Sequence, residues 1–320
     1  MKDTQTTNLK ILQTVEEGLL KSPKSLPSWL FYDDTGDKLF QSIMRMPEYY
    51  LTNCETEILE CNLNRFLKLF CADGSPYELV ELGPGDGTKT EILLKYLQEK
   101  CANFVYAPVD ISPDVLENLT SRLVQLIPTL QMEPQVKHFQ QALHDFKERR
   151  DIRCVTLFMG ANIGNYTFEE AIDFVKSLSD EMKNDDMLMI GFDLKKDPRL
   201  IQAAYDDPHG ITSQFNKNLL VRLNREMGAD FHTDQFEHFP YYDPDAGAAI
   251  SYLISMKEQD VYFDALNTSV HFDYLELIHT EISLKYDSVM INGIANAAEL
   301  TIAENFQDKQ HFFCDVLFIK

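Results

Sequence analysis

The sequence predicts an α/β fold: a parallel sheet covered by helices on both faces, with a second, smaller α+β lobe set into it. Three observations carry that prediction. The run Tyr77-Glu-Leu-Val-Glu-Leu-Gly-Pro-Gly-Asp-Gly-Thr-Lys89 reads as a strand, a glycine-rich turn and a helix start, and Phe104-Val-Tyr-Ala-Pro-Val-Asp110 as a second strand ending on an acid. Short apolar strands then alternate with amphipathic helices, the pattern of a parallel sheet buried on both faces. After Asp193 the alternation stops, and it returns only near the C-terminus. That interval is too long for a loop and reads as an inserted lobe.

Taken in order, residues 1–60 form a mainly helical segment that contributes to the inserted lobe, with a Pro47-Glu-Tyr-Tyr-Leu-Thr loop inside it. Residues 61–195 form the α/β domain. Its strands are expected at 78–82, 104–109, 135–139, 154–159 and 187–192. Between them Leu116, Leu119, Leu123 and Ile127 mark one helical face, and Ala171, Phe174, Val175 and Leu178 another. The lobe spans 196–286, with a helix carrying Ile211, Phe215, Leu219 and Leu223 and strand-like segments at 249–255, 269–275 and 278–286. Residues 287–320 return to the α/β domain.

The glycine loop narrows the ligand. Gly83, Gly85 and Gly87 allow a tight turn and close backbone approach, and Ile92, Leu93, Tyr96 and Leu97 continue it as a helix. Asp110 follows Gly83 by 27 residues, about where such units place a carboxylate for ribose hydroxyls. A dinucleotide site wants G-x-G-x-x-G; here the spacing is G-x-G-x-G, with Glu81 just before it. A carboxylate there would repel a pyrophosphate and suit the cationic amino-acid end of S-adenosylmethionine. The loop therefore favours a methyltransferase over a dehydrogenase.

Composition excludes several other classes. At 320 residues and 44% hydrophobic content the chain supports one large or two smaller cores. A formal net charge of −22 argues against nucleic acid or an anionic membrane as partner. No apolar run approaches the roughly 20 residues of a membrane span, and the N-terminus leads into no signal-peptide core. Six cysteines (54, 61, 71, 101, 154 and 314) lack C-x-x-C spacing, and eight histidines show no metal-ligand grouping. The expectation is a cytoplasmic, monomeric protein with no metal.

Several separated segments resemble one family. They are Pro27-Ser-Trp-Leu-Phe-Tyr-Asp-Asp-Thr-Gly-Asp-Lys-Leu-Phe40, Met46-Pro-Glu-Tyr-Tyr-Leu-Thr-Asn53, Phe158-Met-Gly-Ala-Asn-Ile-Gly-Asn165, Asp193-Leu-Lys-Lys-Asp-Pro198, Ala204-Tyr-Asp-Asp207, Gly210-Ile-Thr-Ser-Gln-Phe-Asn216, Asn224-Arg-Glu-Met-Gly-Ala-Asp-Phe231 and Thr280-Glu-Ile-Ser-Leu-Lys-Tyr286. In order and spacing they are similar to the ergothioneine-pathway histidine Nα-methyltransferases, from about residue 25 to the C-terminus. The resemblance implies a Rossmann-like class I methyltransferase sheet and S-adenosylmethionine as cofactor. It also implies methylation of the α-amine of L-histidine, to the trimethylated betaine hercynine.

It further implies residue roles. Gly83, Lys89 and Asp110 would hold the cofactor. The step that meets the adenine falls, without a gap, on Ala142 and Leu143; a three-residue slip would put Asp145 and Phe146 there instead. Tyr49, Asn165 and Tyr205 would grip the substrate's carboxylate and amine, with Tyr32 near the amine. Glu281 and Ser283 would recognise the imidazole, their i, i+2 spacing on a strand turning both side chains to one face. Tyr252 would stand beside that ring, where well-known members have methionine. Tyr32 and Tyr49 would orient the amine and the water that takes its proton.

Each residue also has a plainer reading. Asp110 could cap the helix that Ser112 and Pro113 announce. Tyr49 could be a packing aromatic, Asn165 a turn residue, Lys89 a solvated cation and Glu281 one end of a surface ion pair. Two functional alternatives stand beside histidine methylation. Tyr252 motivates a different amino acid as substrate, and the missing acid near Ala142 motivates a catalytically idle binding protein of the same fold.

Overall fold

The structure is a computed structural model that describes residues 2–71, 74–100, 102–149 and 152–320. Cys101 lies outside the described residues. The chain divides into two compact units, one of residues 51–195 and 285–320, the other of residues 1–50 and 196–284.

The larger unit is built on a seven-stranded sheet. In chain order its strands are Tyr77–Leu82, Phe104–Asp110, Gln135–Val136, Arg153–Phe158, Met187–Asp193, Thr301–Gln307 and Phe313–Ile319. Across the sheet they run sixth, seventh, fifth, fourth, first, second, third. The first five are mutually parallel where they pair, and the last two form an antiparallel ribbon on the fifth. Continuous apolar runs explain the burial: every residue of Tyr77–Leu82 and of Met187–Asp193 is enclosed. Helix starts follow from short polar caps. Ser112 Oγ accepts from the Val115 N–H before Pro113–Leu126, and Thr167 with Glu170 closes a capping box on Phe168–Asp180. The strand order reverses between the first and fourth strands, the crevice where doubly wound sheets bind ligands at their C-terminal edge.

One predicted strand, residues 135–139, is shorter than expected and runs into a helix at its last residue. Only Gln135 and Val136 pair with the second strand, and Phe139–Arg149 is helical. The helical spacing of Phe139, Ala142, Leu143 and Phe146 outweighs the short strand pattern.

The smaller unit carries a four-stranded sheet in the order Lys24–Ser25, Leu277–Leu284, Ala248–Ser255, Phe236–Asp243. A separate hairpin joins Gln259–Phe263 to Thr268–Phe272. The predicted segment 269–275 therefore ends as a strand at Phe272. The helix Ile211–Met227 packs Phe215, Leu219 and Leu223 against Leu30, Phe31, Leu253, Phe236 and Ile278, a core of its own. Helices Lys2–Leu19, Asp34–Ile43 and Pro198–Tyr205 complete it. A bulge interrupts the pairing of Leu277–Leu284 between His279 and Glu281, after which Glu281 faces Ser251 and Ser283 faces Ala249.

Where the fifth strand of the large sheet ends, Lys285 Nζ meets Asp193 at 2.8 Å, both side chains fully enclosed. The Tyr286 N–H donates to the Asp193 carbonyl beside it. Removing one charge from a buried pair leaves the other uncompensated. Lys285→Met is therefore expected to destabilise the protein by roughly 3–5 kcal/mol, with recovery in a Lys285→Met, Asp193→Leu double variant; urea denaturation of both checks it.

Candidate active site

At the C-terminal end of the first strand, Gly83, Gly85 and Gly87 all have left-handed backbone, with φ of 66°, 56° and 63°. Gly87 is the N-cap of helix Thr88–Glu99, and a Cβ on it would lie 2.3 Å from Leu119 Cδ1. Beside Gly83, by contrast, a Cβ would meet only the Phe139 ring at 3.5 Å. Within 4 Å of that Cβ position no atom of another described residue is found besides the Phe139 ring, apart from the adjoining residues, so the backbone at Gly83 is open to close approach. Asp110 ends the neighbouring strand, its Oδ1 accepting from the Ser112 N–H at 2.9 Å. Ser112 is the helix cap, so Asp110 is not spent on that task. Burial raises its carboxyl above the usual range, against the bonds from Ser112 and Ile111.

Both carboxyl oxygens of Glu81 are engaged within the protein. It is buried and accepts hydrogen bonds from Thr90 Oγ1 at 2.5 Å and from the Tyr106 hydroxyl. Burial pushes its carboxyl up to about 7, although those two donors and Lys89 oppose the shift. Lys89 sits in the first turn of the following helix with its ammonium on the carboxylate of Glu55. Burial disfavours that charge, yet Glu55, with Asp315 and Glu81, holds the ammonium above its ordinary range.

Ala142 and Leu143 are not brought to the loop. Both are enclosed in helix Phe139–Arg149, and the Ala142 N–H is spent on the His138 carbonyl. Leu143 and Phe146 line one cavity with Glu78 and Cys154, each the second residue of its strand and so near the N-terminal edge of the sheet. Asp145 pairs with Lys137 at 2.5 Å. The residue that does reach Gly83 is Phe139, preceded by His138. Its signal was the helical spacing that places Phe139 first in the helix.

On the fourth strand's exit, Gly160 and Ala161 are both left-handed, φ 80° and 57°. They lead into the short 3-10 turn Asn162–Asn165. Asn165 is half-buried there.

The smaller unit holds the remaining residues. Tyr205 donates its hydroxyl to Ser283 Oγ at 2.7 Å, and Ser251 donates to Glu281 Oε2 at 3.3 Å. Tyr205 packs with Ala249, Tyr49 and Tyr50, and Tyr49 meets Phe40 edge-on at 6.2 Å. Lys196 bonds the Tyr50 hydroxyl at 2.8 Å and lies 4.2 Å from its ring centroid. Tyr32 is 41% exposed as a residue, with its hydroxyl in the field of acidic neighbours. Burial, then the charges of Glu281 and Asp37, push it well above the phenol range. Arg222 Nη1 donates to the Leu30 and Tyr32 carbonyls at 2.9 and 3.1 Å and so fixes that turn. Asn216 Nδ2 lies 2.7 Å from His238 Nδ1, whose other ring nitrogen is 3.1 Å from the Tyr205 carbonyl. Burial lowers the His238 pKa, and the neutral Nε2–H tautomer satisfies both contacts.

Tyr252 is on the other side. It stacks on Tyr241 at 6.1 Å and meets His279 edge-on at 5.4 Å. Glu281 is paired with Ser251, so the face shared by Glu281 and Ser283 carries Ser251, not Tyr252. Ser251 is the residue that sequence reasoning missed, because a one-residue slip in register exchanges the two faces. Among the described residues, no group of three or more His, Cys, Asp or Glu is placed to hold a metal, and no helix is long and apolar enough to cross a membrane.

The sheet order, the antiparallel last strand and the glycine loop opening into a helix define a Rossmann-like class I methyltransferase. Residues 11–320 match the model of the histidine-specific, S-adenosylmethionine-dependent methyltransferases, and the chain belongs to that family. It is 34% identical over 293 residues to the histidine N-alpha-methyltransferase of Mycobacterium tuberculosis (92% of this chain, 89% of that one). Against the histidine N-alpha-methyltransferase of Mycolicibacterium smegmatis it is 35% identical over 285 residues (89% and 86%). It is also 30% identical over 255 residues to ergothioneine biosynthesis protein 1 of Schizosaccharomyces pombe, covering 78% of this chain and 33% of that one. The protein is an S-adenosylmethionine-dependent N-methyltransferase.

Glu81 gives the cofactor-free protein a pH signature. Its carboxyl holds a proton more tightly folded, at about 7, than at the ordinary 4.5. Between those values the folded state binds more protons, so stability falls as pH rises from about 4.5 to about 7 and then levels off. The drop is on the order of 3 kcal/mol. Denaturation curves at pH 5 and pH 8 should show a clearly smaller drop in Glu81→Gln than in the wild type, the remainder coming from the other raised carboxyls, Asp110 and Asp315.

Proposed function

We propose that the protein transfers methyl groups from S-adenosylmethionine to the α-amine of L-histidine, three times, giving hercynine for the ergothioneine pathway. The observation that carries this reading is the polar array of the smaller unit. A carboxylate and two serine hydroxyls stand on one sheet face and a tyrosine hydroxyl from helix Pro198–Tyr205 reaches it, linked as Ser251–Glu281 and Tyr205–Ser283. An imidazole has one N–H to give and one lone pair to fill, and a carboxylate beside a hydroxyl satisfies both. An indole or aliphatic side chain would offer Glu281 no matching pair of ring donor and acceptor.

The cofactor supplies a methyl group on a positively charged sulfur, open to direct displacement. Asp110 would accept from its ribose hydroxyls, with Gly83, Phe139 and Lys89 around it. Asn165, Tyr49 and Tyr205 would hold the α-carboxylate and amine, the part common to all amino acids. The Tyr32 hydroxyl stays protonated at neutral pH, so it serves as a hydrogen-bond partner that orients the amine lone pair. The amine's proton leaves to water. Catalysis on this reading is mainly positioning. The protein acts as a monomer and without nucleic acid.

The reason for suspecting another amino acid weakens, since Tyr252 does not share the Glu281 face. Incubation of the protein with S-adenosylmethionine and each standard amino acid, read by product mass, tests the proposal. Histidine should gain three methyl groups. Glu281→Ala should lower kcat/KM for histidine about ten- to hundredfold, the cost of an imidazole N–H left without its acceptor. Apolar amino acids should not suffer. Turnover of a different amino acid with histidine ignored would refute the imidazole role of Glu281 and Ser283 and leave the methyltransferase class intact.

A further inference from the structure

Glu55 has no part in the reaction as drawn so far. It lies on helix Tyr50–Phe70 with 0% exposure. Its Oε1 accepts the Gly160 N–H at 2.7 Å, and its Oε2 takes the Lys89 ammonium. Gly160 opens the left-handed turn that leads to Asn165, and Lys89 belongs to the helix that Gly87 caps. The two segments also touch directly in plan: a Cβ on Gly160 would lie 3.4 Å from Lys89 Nζ.

The strand Met187–Asp193 is shaped to admit this carboxylate. A Cβ on Gly191 would lie 2.6 Å from Glu55 Oε1 and 3.1 Å from Asp315 Oδ1. Asp315 is fully buried, and neither of its carboxyl oxygens has a hydrogen-bond partner among the described groups. Burial, then the charge of Glu55, raises its carboxyl well above the usual range. The ion pair of Lys89 is made with Glu55, and burial disfavours a second carboxylate charge at Asp315.

We propose that Glu55 is a positioning residue for methyl transfer, one carboxylate that fixes both Lys89 and the Gly160–Ala161 turn. The proposal rests on the reading of Lys89 as a cofactor contact and Asn165 as an amino-acid contact. A purely stabilising role explains less. At this depth an ion pair gains little over a packed apolar side chain of equal volume. Bonding two loops with different ligands to one rigid group is what alignment of two reactants requires. Ala161 adds to this, because a non-glycine residue in left-handed backbone is strained and persists only where its surroundings impose it.

The test uses the full-length protein and S-adenosylhomocysteine as the probe, titrated by calorimetry into Glu55→Gln, Lys89→Met and the double variant. Glutamine keeps the shape and one acceptor for Gly160 but withdraws the charge from Lys89. Each single variant should bind about ten- to hundredfold more weakly than wild type, the range expected for a lost charged hydrogen bond. The double variant should bind no more weakly than Lys89→Met alone. A purely structural Glu55 would give additive losses instead. Should Glu55→Gln fail to fold, Glu55→Asp replaces it and should show a loss of similar size, since the carboxylate is drawn back by one methylene. Wild-type affinity in Lys89→Met would remove Lys89 from the cofactor site and the proposal with it. Weakened Lys89→Met beside an unchanged or additive Glu55 variant would overturn the proposal alone.

Discussion

Left-handed backbone at Gly83, Gly85 and Gly87 is the constraint on which the larger unit depends. A buried parallel strand must pass into a helix within five residues. L-residues pay at each such position, and glycine does not. The turn fixes where helix Thr88–Glu99 begins, hence where Lys89 stands. It also brings Thr90 back over the strand end, where its hydroxyl reaches Glu81. The loop's open side is what remains for a ligand.

Charge is managed differently in the two units. In the larger one, Glu55, Glu81 and Asp315 are buried in the field of a single cation, Lys89. All three carboxyls cannot ionise there cheaply: burial pushes Glu81 up to about 7 and raises Asp315 well above the usual carboxylate range, while Glu55 makes the ion pair with Lys89. In the smaller one, Glu281 lies among hydroxyls that can donate or accept as a ligand demands. The first arrangement makes fixed geometry; the second makes a recognition surface.

Much of this was legible in the sequence. Apolar strands, amphipathic helices and the glycine loop each obey local rules, and Asp110 follows from its distance to Gly83. Residues whose role depends on register or depth were not legible. Ser251 and Tyr252 are neighbours with equal strand propensity, and only the pairing with Glu281 decides which one faces it. The bulge at Thr280 spoils any count by twos that is carried through from Ile278. Phe139 was hidden because a two-residue strand gives too little pattern to place its end. Glu55, an acid on a long helix, looks like any solvated helical carboxylate until the sheet closes over it.

Equilibrium binding of S-adenosylhomocysteine to Gly83→Ala is the most direct test of the central claim that the cofactor lies against this turn. Within the protein an alanine Cβ there meets only the Phe139 ring at an ordinary contact distance. The cost to folding is limited to left-handed strain of about 1–2 kcal/mol. The account predicts a folded variant whose affinity falls at least tenfold, because the added methyl occupies space the ligand needs. A folded Gly83→Ala protein that binds within twofold of wild type would contradict it.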